Sequence, residues 1–379
     1  MKKRILFLIE SLSGGGAEKV LVTTLRHLDK EKFDITLCCI VNTGVFKNNL
    51  PSHIHYHYLI DKPGKSNISN CFYKFKYKMI YNYLPLSIVS TSLRPSRYDI
   101  VVAFVEGFAT KLVSHTRNVH LKKIVWVHTD LHSNHWTKTI FTNHREELDC
   151  YNQFDNIITV SNTVLHSFKK EFPSCSQPIQ TLYNPIDSEE IKRLAQQPTG
   201  IIKDNCFKLI SVGRLVKQKS FLRLLRIFNR LVVQGYEIEL WLIGEGPERM
   251  RIEQFIRTNE LTEHVRLLGF QANPYKYMKE CDLFVCSSIS EGYSTAVTEA
   301  LILGIPIITT LCSGMEELLQ NGECGMITPN SEDDLFKGIK SLLDNRKLLD
   351  QYRQKAIKRS HDFSTDKLVS NVERFLLNS

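Results

Sequence analysis

The sequence predicts an α/β fold made of two doubly wound domains with parallel sheets. Apolar, β-branched segments alternate with amphipathic helical segments along nearly the whole chain. The alternation stops at a polar stretch, 184–200, and then starts again. The chain has 379 residues, which is enough for two domains with separate cores. We therefore expect an N-terminal domain over 1–185, a second domain over 186–361 and a C-terminal helix within 362–379.

The composition is that of a globular protein without a membrane span. Hydrophobic residues make up 42% and charged residues 23% of the chain, and no apolar run approaches the roughly 20 residues that a span needs. The start, Lys2-Lys3-Arg4 followed by an apolar run, resembles a signal peptide, but the run is short and Glu10 interrupts it, so it predicts a buried strand. The ten cysteines are scattered without a Cys-x-x-Cys pair, which indicates reduced thiols and a cytoplasmic protein.

The positive charge of the chain is confined to its first half. Residues 1–185 contain 23 Lys and Arg against 14 Asp and Glu, whereas residues 186–379 contain 26 of each. Such a surplus is often only a solvated surface, but it also suits contact with an anionic partner. No nucleic-acid-binding motif accompanies it, so we expect no nucleic acid partner.

The first predicted unit is a strand, a glycine turn and a helix. Residues 4–12 form an apolar strand-like run, 13–18 are rich in glycine, and 17–28 repeat apolar residues at helical spacing. Such turns bring backbone N–H groups toward phosphate at a helix N-terminus. However, neither the dinucleotide pattern nor the Walker Lys-Ser/Thr is present, and a tight turn explains Gly15 and Gly16 equally well.

Further strands are expected in this half at 33–41, 98–105, 123–127 and 156–160. His128 directly follows one of them, at the carboxyl edge where open α/β sheets bind ligands. Because the chain has 13 histidines, an incidental position explains His128 as well.

Residues 72–84 combine aromatic and basic side chains. Wound as a helix, they place apolar residues on one broad face and lysines mainly on the other, which suits the surface of an anionic membrane. The residues expected to make this contact are Phe72, Phe75, Lys74, Lys76 and Lys78. The same residues would also make an amphipathic strand, and aromatic faces usually belong to a core, so these alternatives stay open.

The alternation of strands and helices restarts in the second half. Strands are expected at 207–212, 238–243, 265–268, 283–286, 305–309 and 325–328, and helices at 332–344, 347–361 and 365–377. Two of the strands end in glycine-containing turns, Gly213-Arg214 and Gly244-Glu245-Gly246, which can approach a ligand closely.

The stretch 283–310 has the clearest site character, because it predicts strand, loop, helix and strand with two carboxylates around the turn. Glu291 lies in the loop and Glu299 on the helix. Gly292 and Ser294 allow a close approach, and the helix N-terminus favours an anion. The unit suits a sugar-like polyol that carries phosphate, although two solvated carboxylates at an ordinary turn are the plainer alternative.

Taken together, these motifs resemble one enzyme family. In chain order they are Gly15-Gly16-Ala17-Glu18, Val212-Gly213-Arg214-Leu215 with Lys219, Ile243-Gly244-Glu245-Gly246-Pro247, Glu291 to Glu299, and Gly322-Glu323-Cys324-Gly325. They closely resemble glycosyltransferase family 4, the retaining enzymes with the GT-B fold, and among them bacterial transferases for polysaccharides and lipid-linked glycans. The resemblance implies two Rossmann-like domains that face a central cleft and a C-terminal helix that crosses back to the first domain.

The resemblance also implies a site for a nucleoside-diphosphate sugar, mainly on the second domain. Arg214 and Lys219 match the pair that holds the diphosphate. Glu299 matches the carboxylate that binds the ribose, and Glu291 the one near the donor sugar. His128 resembles the histidine near the reacting sugar, so the expected catalytic group is Arg214, Lys219, Glu291 and His128. The remaining donor-binding positions are Gly15, Gly16, Gly213, Gly292, Tyr293, Ser294 and Thr295.

The implied chemistry agrees with these residue types. A leaving nucleoside diphosphate gains negative charge as the glycosidic bond breaks, and fixed Arg and Lys cations stabilise that charge. An Asp-x-Asp pair after a strand is missing, and the acidic cluster 332–334 predicts a helix start, so neither metal nor cofactor is expected. Retention in this family is usually explained by front-face attack without a protein nucleophile, with domain closure onto the donor.

Two departures from the family pattern concern the donor site. Lys219 is followed by Ser220 where the family often has glycine, and Lys217 offers a competing cation. Tyr293 stands where the family more often has Phe or Leu, so it could change which sugar fits.

The expected function is transfer of a hexosyl or N-acetylhexosaminyl group from a nucleotide sugar, with UDP as the expected nucleotide, to a glycan acceptor. The basic first half and residues 72–84 suggest a lipid-linked acceptor on the cytoplasmic face of a membrane. Two alternatives are a sugar-nucleotide epimerase of the same fold, which needs no acceptor, and a non-catalytic nucleotide-sugar-binding protein.

Overall fold

The computed structural model describes residues 2–62, 64, 66–118, 120–201 and 205–379, with the side chains of 67 and 68 left out. The chain divides into two compact units, Met1–Ile186 with Asp366–Ser379, and Asp187–Thr365. The first boundary lies one residue, and the second four residues, beyond those placed from the sequence, because the turn before the last helix belongs to the second unit.

The first unit contains a seven-stranded parallel sheet. Its strands are β1 (Lys3–Ile9), β2 (Phe33–Val41), β3 (His55–Ile60), β4 (Ile100–Ala103), β5 (Lys122–Val127), β6 (Asn156–Thr159) and β7 (Ile179–Thr181). Their order is β3-β2-β1-β4-β5-β6-β7, and all neighbours are parallel. The order reverses between β1 and β4, so the topological switch point lies at the carboxyl ends of these two strands.

The second unit repeats this arrangement with six parallel strands. They are β8 (Phe207–Val212), β9 (Ile238–Ile243), β10 (Val265–Gly269), β11 (Leu283–Cys286), β12 (Ile307–Thr310) and β13 (Met326–Thr328). The order is β10-β9-β8-β11-β12-β13, which places the switch point between β8 and β11. The predicted doubly wound α/β architecture is therefore confirmed for each unit.

The helices occupy the connections between strands and the end of the chain. They are α1 (Gly16–His27), α2 (Asn67–Lys78), α3 (Leu86–Thr91), α4 (Phe108–Ser114), α5 (His144–Tyr151), α6 (Asn162–Glu171), α7 (Ser188–Leu194), α8 (Phe221–Val233), α9 (Arg249–Thr258), α10 (Tyr275–Lys279), α11 (Thr295–Ile302), α12 (Met315–Leu318), α13 (Glu332–Asp344), α14 (Arg346–Ser360) and α15 (Thr365–Asn378). Helix α15 packs on the first unit, where Lys3 Nζ donates to Leu376 O at 3.1 Å and Glu373 Oε1 accepts from Asp29 N at 2.7 Å.

The cores form because the strands are continuous apolar runs, as is typical of parallel sheets. All six residues of β9 are buried, as are the last five of β1. Helix α8 buries one side, and its apolar residues join β8 and β9 in one cluster. Because the strands themselves are buried and apolar, polar functional groups are expected in the loops at the strand ends.

Two strands were not predicted from the sequence, and part of the predicted linker is helical. β3 lies at the edge of its sheet and reads His-Tyr-His-Tyr, mostly exposed, so it lacks an apolar run. β7 has only three residues. The polar stretch 184–200 contains helix α7, which Asp187 caps by accepting from Glu190 N at 3.0 Å.

Residues 72–84 are helical, so the strand alternative is wrong. Helix α2 begins earlier than expected, at Asn67, where Ser66 caps it by accepting from Ser69 N at 3.2 Å. It ends at Lys78, and the chain continues in a π-helical turn, Met79–Tyr83.

All ten cysteines are free. Among the helices in the described ranges, none combines the length and apolar character that crossing a membrane requires.

Candidate functional site

The predicted donor-binding residues of the second unit meet at its switch point. The loop 213–220 follows β8 and the loop 287–294 follows β11, and both leave the sheet at its carboxyl edge. Lys217–Lys219 form a short 3-10 turn within the first loop. Because β8 and β11 are neighbours, residues that are about 70 positions apart in sequence face each other here.

An ion pair joins the two loops. Lys219 Nζ lies 2.5 Å from Glu291 Oε1, and Ser288 Oγ donates to the same oxygen at 2.6 Å. The side chain of Glu291 is 8% exposed and that of Lys219 is 23% exposed. Burial acts to lower the pKa of Lys219, but the charge of Glu291 and its hydrogen bond outweigh burial and raise that pKa. Lys219 is therefore a positioned cation.

Arg214 is the second predicted cation of this loop. Its side chain is exposed, and it pairs with no side chain in the described part of the sequence. It lies close enough to Lys219 for its charge to oppose protonation of the amine. Two like charges held near one another favour the approach of an anion.

Hydrogen bonds fasten the two loops together. Gln218 Nε2 donates to Ser290 O at 2.7 Å, and Ile289 N donates to Gln218 O at 2.8 Å. Ser287 Oγ donates to Lys219 O at 2.9 Å. The backbone that carries Lys219 is thus fixed relative to the strand that precedes Glu291.

A buried arginine that the sequence did not single out supports the same loop. Arg223 donates to Ser287 O, to Ser288 O at 3.3 Å and to Asn330 Oδ1 at 2.8 Å, and burial lowers its pKa. Thr310 Oγ1 donates to Ser288 O at 2.6 Å. No sequence signal distinguished Arg223 from a solvated arginine, because its partners lie in distant segments of the chain.

Two glycines permit close backbone contacts around this edge. A Cβ on Gly244, whose φ is +142°, would lie 1.8 Å from Gly213 O. A Cβ on Gly314, whose φ is +79°, would lie 2.3 Å from Gly292 O. Gly213 itself has room, because the atoms nearest to a Cβ there would be those of the Lys219 side chain, at 3.7 Å. The need for glycine thus lies in the neighbouring loops that support the site.

Helix α11 carries the remaining predicted donor-binding residues. Ser294 is buried and caps the helix by accepting from Val297 N at 3.5 Å, so Thr295 is its first residue. Glu299 is buried on the same helix and accepts from Tyr275 Oη at 3.4 Å. Tyr293 is half-buried just before the cap.

In the first unit, His128 follows β5 and contacts a buried carboxylate. Its backbone N–H donates to Glu106 Oε2 at 2.8 Å, and Trp136 Nε1 donates to Glu106 Oε1 at 3.2 Å. His128 Nε2 is enclosed and has no hydrogen-bond partner among the described residues. Burial lowers the pKa of His128 to about 4, against the opposing effects of Glu106 and a backbone hydrogen bond to Phe104. The imidazole is therefore neutral near pH 7.

Sequence reasoning missed Glu106, although it follows β4 at the switch point of the first unit. A second missed carboxylate, Glu147, holds the loop that contains His128. His135 Nε2 lies 2.8 Å from Glu147 Oε2, and Thr137 Oγ1 donates to Glu147 Oε1 at 2.7 Å. Neither carboxylate belongs to a motif in the sequence, and only the fold brings their partners to them.

The glycine turn of the first unit lies at the carboxyl end of β1. Gly14 has a φ of +104°, Gly15 precedes α1 and Gly16 is its first residue. A third carboxylate that the sequence did not mark as functional, Glu10, lies beside this turn and accepts a hydrogen bond from Tyr81 Oη. Burial raises the pKa of Glu10 to about 7, although the bond to Tyr81 acts in the opposite direction.

The aromatic and basic residues of α2 are largely exposed. Phe72 is 67% and Phe75 is 61% exposed, and the three lysines expected to contact a membrane, Lys74, Lys76 and Lys78, are exposed as well. The core alternative is therefore wrong for these five residues. Tyr81, in the turn after the helix, instead stacks on Phe108 with ring centroids 3.9 Å apart and fastens the segment to the sheet edge.

Comparisons with known proteins agree with this architecture. A model described as "Glycosyl transferases group 1" matches residues 193–359, and one described as "Glycosyltransferase Family 4" matches residues 14–190. The chain is 29% identical, over 97% of its length and 98% of the relative's, to the N-acetylgalactosamine-N,N'-diacetylbacillosaminyl-diphospho-undecaprenol 4-alpha-N-acetylgalactosaminyltransferase of Campylobacter jejuni. It is 26% identical, over 58% of its length and 59% of the relative's, to the N-acetyl-alpha-D-glucosaminyl L-malate synthase of Bacillus anthracis.

Solved structures share the fold at lower sequence identity. Anabaena Alr3699/HepE, in complex with UDP and glucose, has a TM-score of 0.77 at 21% identity, covering 99% of both chains. WaaG, a glycosyltransferase involved in lipopolysaccharide biosynthesis, has a TM-score of 0.72 at 14% identity, covering 98% of this chain and 99% of that one.

The two doubly wound units and these comparisons define a glycosyltransferase of the GT-B fold. Both halves are matched in the order that the motifs predict, so the chain belongs to the family 4 type of these enzymes.

Proposed function

We propose that the protein transfers a sugar, with retention of configuration and without a metal or cofactor, from a UDP-sugar to a lipid-linked glycan in cell-surface polysaccharide biosynthesis. The observation that carries the proposal is the Lys219–Glu291 pair beside the exposed Arg214 at a topological switch point. Fixed cations at such a place suit a diphosphate leaving group.

The two cations differ in what they would do. Arg214 is unpaired among the described residues, so its planar guanidinium is available to bind the diphosphate. Lys219 is held by Glu291 and would meet the same diphosphate as a point charge, with its position set before the donor binds. Glu291 orients Lys219 and faces the donor sugar, while Glu299 binds the ribose.

The His128 imidazole would act on the donor sugar as a neutral group. Its lowered pKa removes the positive charge near pH 7, so it exchanges hydrogen bonds with sugar hydroxyls and does not compete with the cations for phosphate. Gly15 and Gly16 would let the β1 turn approach the donor. Retention then proceeds by front-face attack, with departing phosphate as the base for the acceptor hydroxyl.

The relatives support the nature of the substrates. The Campylobacter jejuni relative is named for N-acetylgalactosaminyl transfer to a diphospho-undecaprenol glycan, and it aligns over nearly the whole chain. The Anabaena structure contains UDP and glucose. We therefore favour a hexosyl or N-acetylhexosaminyl group on UDP as the donor, while no observation favours the epimerase alternative.

The test is transfer from labelled UDP-sugars to a lipid-linked acceptor. Lys219→Ala should lower kcat by at least about 100-fold, because it removes a fixed charge from the leaving group. Lys217→Ala is the matched control, since Lys217 is an exposed cation two residues away in the same turn and should keep its activity. Glu291→Gln should lower activity as well, because Lys219 would lose the carboxylate that holds its amine in place. Undiminished transfer by both site variants would refute the assignment.

We also propose that α2 contacts the cytoplasmic face of an anionic membrane. Its exposed Phe72 and Phe75 and the nearby lysines suit such a surface. Replacing Lys74, Lys76 and Lys78 with Glu should release the protein from anionic vesicles. Replacing both phenylalanines with Ser should weaken binding without changing the charge. Unchanged vesicle binding by both variants would contradict the proposal.

A further inference from the structure

The first unit contains a cavity of about 490 Å³ that plays no part in the donor site described above. It lies between one face of the sheet and the segment 76–98, which runs from the end of α2 through α3. Its interior is lined by Leu6, Ile80 and Val89, all of them buried. Leu84 and Ile88 line it as well and are 37% and 59% exposed, so the apolar lining continues to the surface.

The charged residues that line this cavity are all basic. They are Lys76, Arg94 and Arg97, with His57 beside them, and no Asp or Glu is among the lining residues. The three cationic side chains are exposed and form no ion pair or hydrogen bond within the described ranges. Some other cations of this unit are paired, as Arg4 is with Asp99 at 2.8 Å. Lys76, Arg94 and Arg97 instead form a basic rim, with no carboxylate among the lining residues, around an apolar interior.

A cavity with these two properties is complementary to an amphiphile with an anionic head. Water alone would leave the apolar interior without favourable contacts, and a free phosphate ion would use only the rim. A phosphate ester that carries a hydrocarbon chain satisfies both parts, because the chain removes apolar surface from water and the phosphate lies among the cations. Lys76 belongs both to the rim and to the exposed side of α2.

We propose that this cavity is a binding site for a single anionic phospholipid, with its phosphate among Lys76, Arg94 and Arg97 and one acyl chain in the apolar interior. This inference goes beyond sugar transfer and rests on the proposed membrane contact. It adds that the protein recognises a single lipid molecule, in addition to the contact of α2 with the membrane surface.

The wild-type protein provides the first test. A short-chain phosphatidylglycerol below its micelle concentration should raise the unfolding temperature, whereas the same concentration of inorganic phosphate or of the matching phosphatidylcholine should not. An equal effect of inorganic phosphate would show an anion site only and would overturn the lipid proposal. No response to the monomeric lipid would overturn it as well.

Variants test the site for the lipid phosphate and the site for the acyl chain separately. Arg94→Gln with Arg97→Gln should weaken binding to phosphatidylglycerol vesicles by about 30-fold, as expected for two charges near an anionic surface. The matched control, Lys169→Gln with Lys170→Gln, removes two exposed charges of the same unit from α6 and should change binding less than about twofold. Equal losses in the two double variants would indicate a general charge effect and contradict the proposal.

Ser92→Phe tests the site for the acyl chain. Ser92 lines the cavity, and a phenyl ring there would fill part of the cavity without changing its charge. It should abolish the response to monomeric lipid, and an unchanged response would contradict the proposal. Binding of UDP, measured in the same wild-type samples, reports the donor site separately, so loss of UDP binding with a retained lipid response would count against the proposed transferase function alone.

Discussion

Replacement of Glu10 by Gln should change how the stability of the first unit depends on pH. Burial raises the pKa of Glu10 from its ordinary 4.5 to about 7, while the hydrogen bond from Tyr81 acts to lower it. A carboxyl with a raised pKa stabilises the folded state only while it is protonated. Its contribution is complete below pH 4.5, is lost as the pH rises toward 7, and stays lost above that.

The size of the effect follows from the two pKa values. They differ by about 2.5 pH units, and each unit corresponds to about 1.4 kcal/mol, which gives about 3 kcal/mol. Glutamine is neutral at every pH and keeps a hydrogen-bond acceptor for Tyr81. The free energy of unfolding of the wild type, measured relative to Glu10→Gln, should therefore fall by up to about 3 kcal/mol between pH 4 and pH 8.

Urea unfolding of both proteins across this pH range measures the difference. A Trp241→Phe background removes the indole of the second unit, so that fluorescence reports Trp126 and Trp136 of the first. Tyr81→Phe is a useful second variant, because loss of the hydroxyl that lowers the pKa of Glu10 should move the loss of stability to higher pH. A difference between wild type and Glu10→Gln that stays constant within about 0.5 kcal/mol from pH 4 to 8 would refute the reasoning.

Three further changes test local features by urea unfolding. Ser220→Gly should stabilise the second unit by up to about 1 kcal/mol, because Ser220 has a φ of +56°, and a loss of stability would contradict this. Gly244→Ala should cost more than about 3 kcal/mol through its contact with a backbone carbonyl, whereas Gly235→Ala, at positive φ with open space around it, should cost about 1. Similar losses of stability in Gly244→Ala and Gly235→Ala would argue against the contact between residue 244 and the carbonyl of Gly213. Thr137→Val should cost about 2 kcal/mol by removing the bond to Glu147, and a neutral effect would exclude that bond.

Much of the architecture could be predicted from the sequence because the buried strands are continuous apolar runs. The bounds of β2, β8, β9 and β11 agree with those expected. β3 was missed for the opposite reason, since an edge strand with exposed His and Tyr carries no apolar run. Helix α7 was missed because its polar residues resemble a linker, and only the cap by Asp187 distinguishes it.

The sequence proposes the residue types of the candidate donor site, but it does not reveal their contacts. Lys219 and Glu291 are 72 positions apart, and the sequence contains no information on which cation meets which carboxylate. Lys217 offered a competing cation in the sequence, and in the fold it is Lys219 that pairs with Glu291. Arg223 remained undetected because two of its partners are backbone carbonyls, which every residue possesses, and the third, Asn330, is 107 positions away.

The same limit explains why three carboxylates of the first unit, Glu10, Glu106 and Glu147, were missed, and a comparison of Glu10 with Glu291 shows how the fold sets the surroundings of a carboxylate. Glu10 follows β1 and Glu291 follows β11, so both lie at switch points at the end of an apolar strand. Glu10 meets the neutral hydroxyl of Tyr81, and burial then raises its pKa to about 7. Glu291 meets Lys219, whose own pKa is raised by the contact. Because the partner arrives from a distant segment in each case, the sequence predicts a carboxylate at the strand end but not its surroundings, which are burial beside a hydroxyl for Glu10 and an ion pair for Glu291.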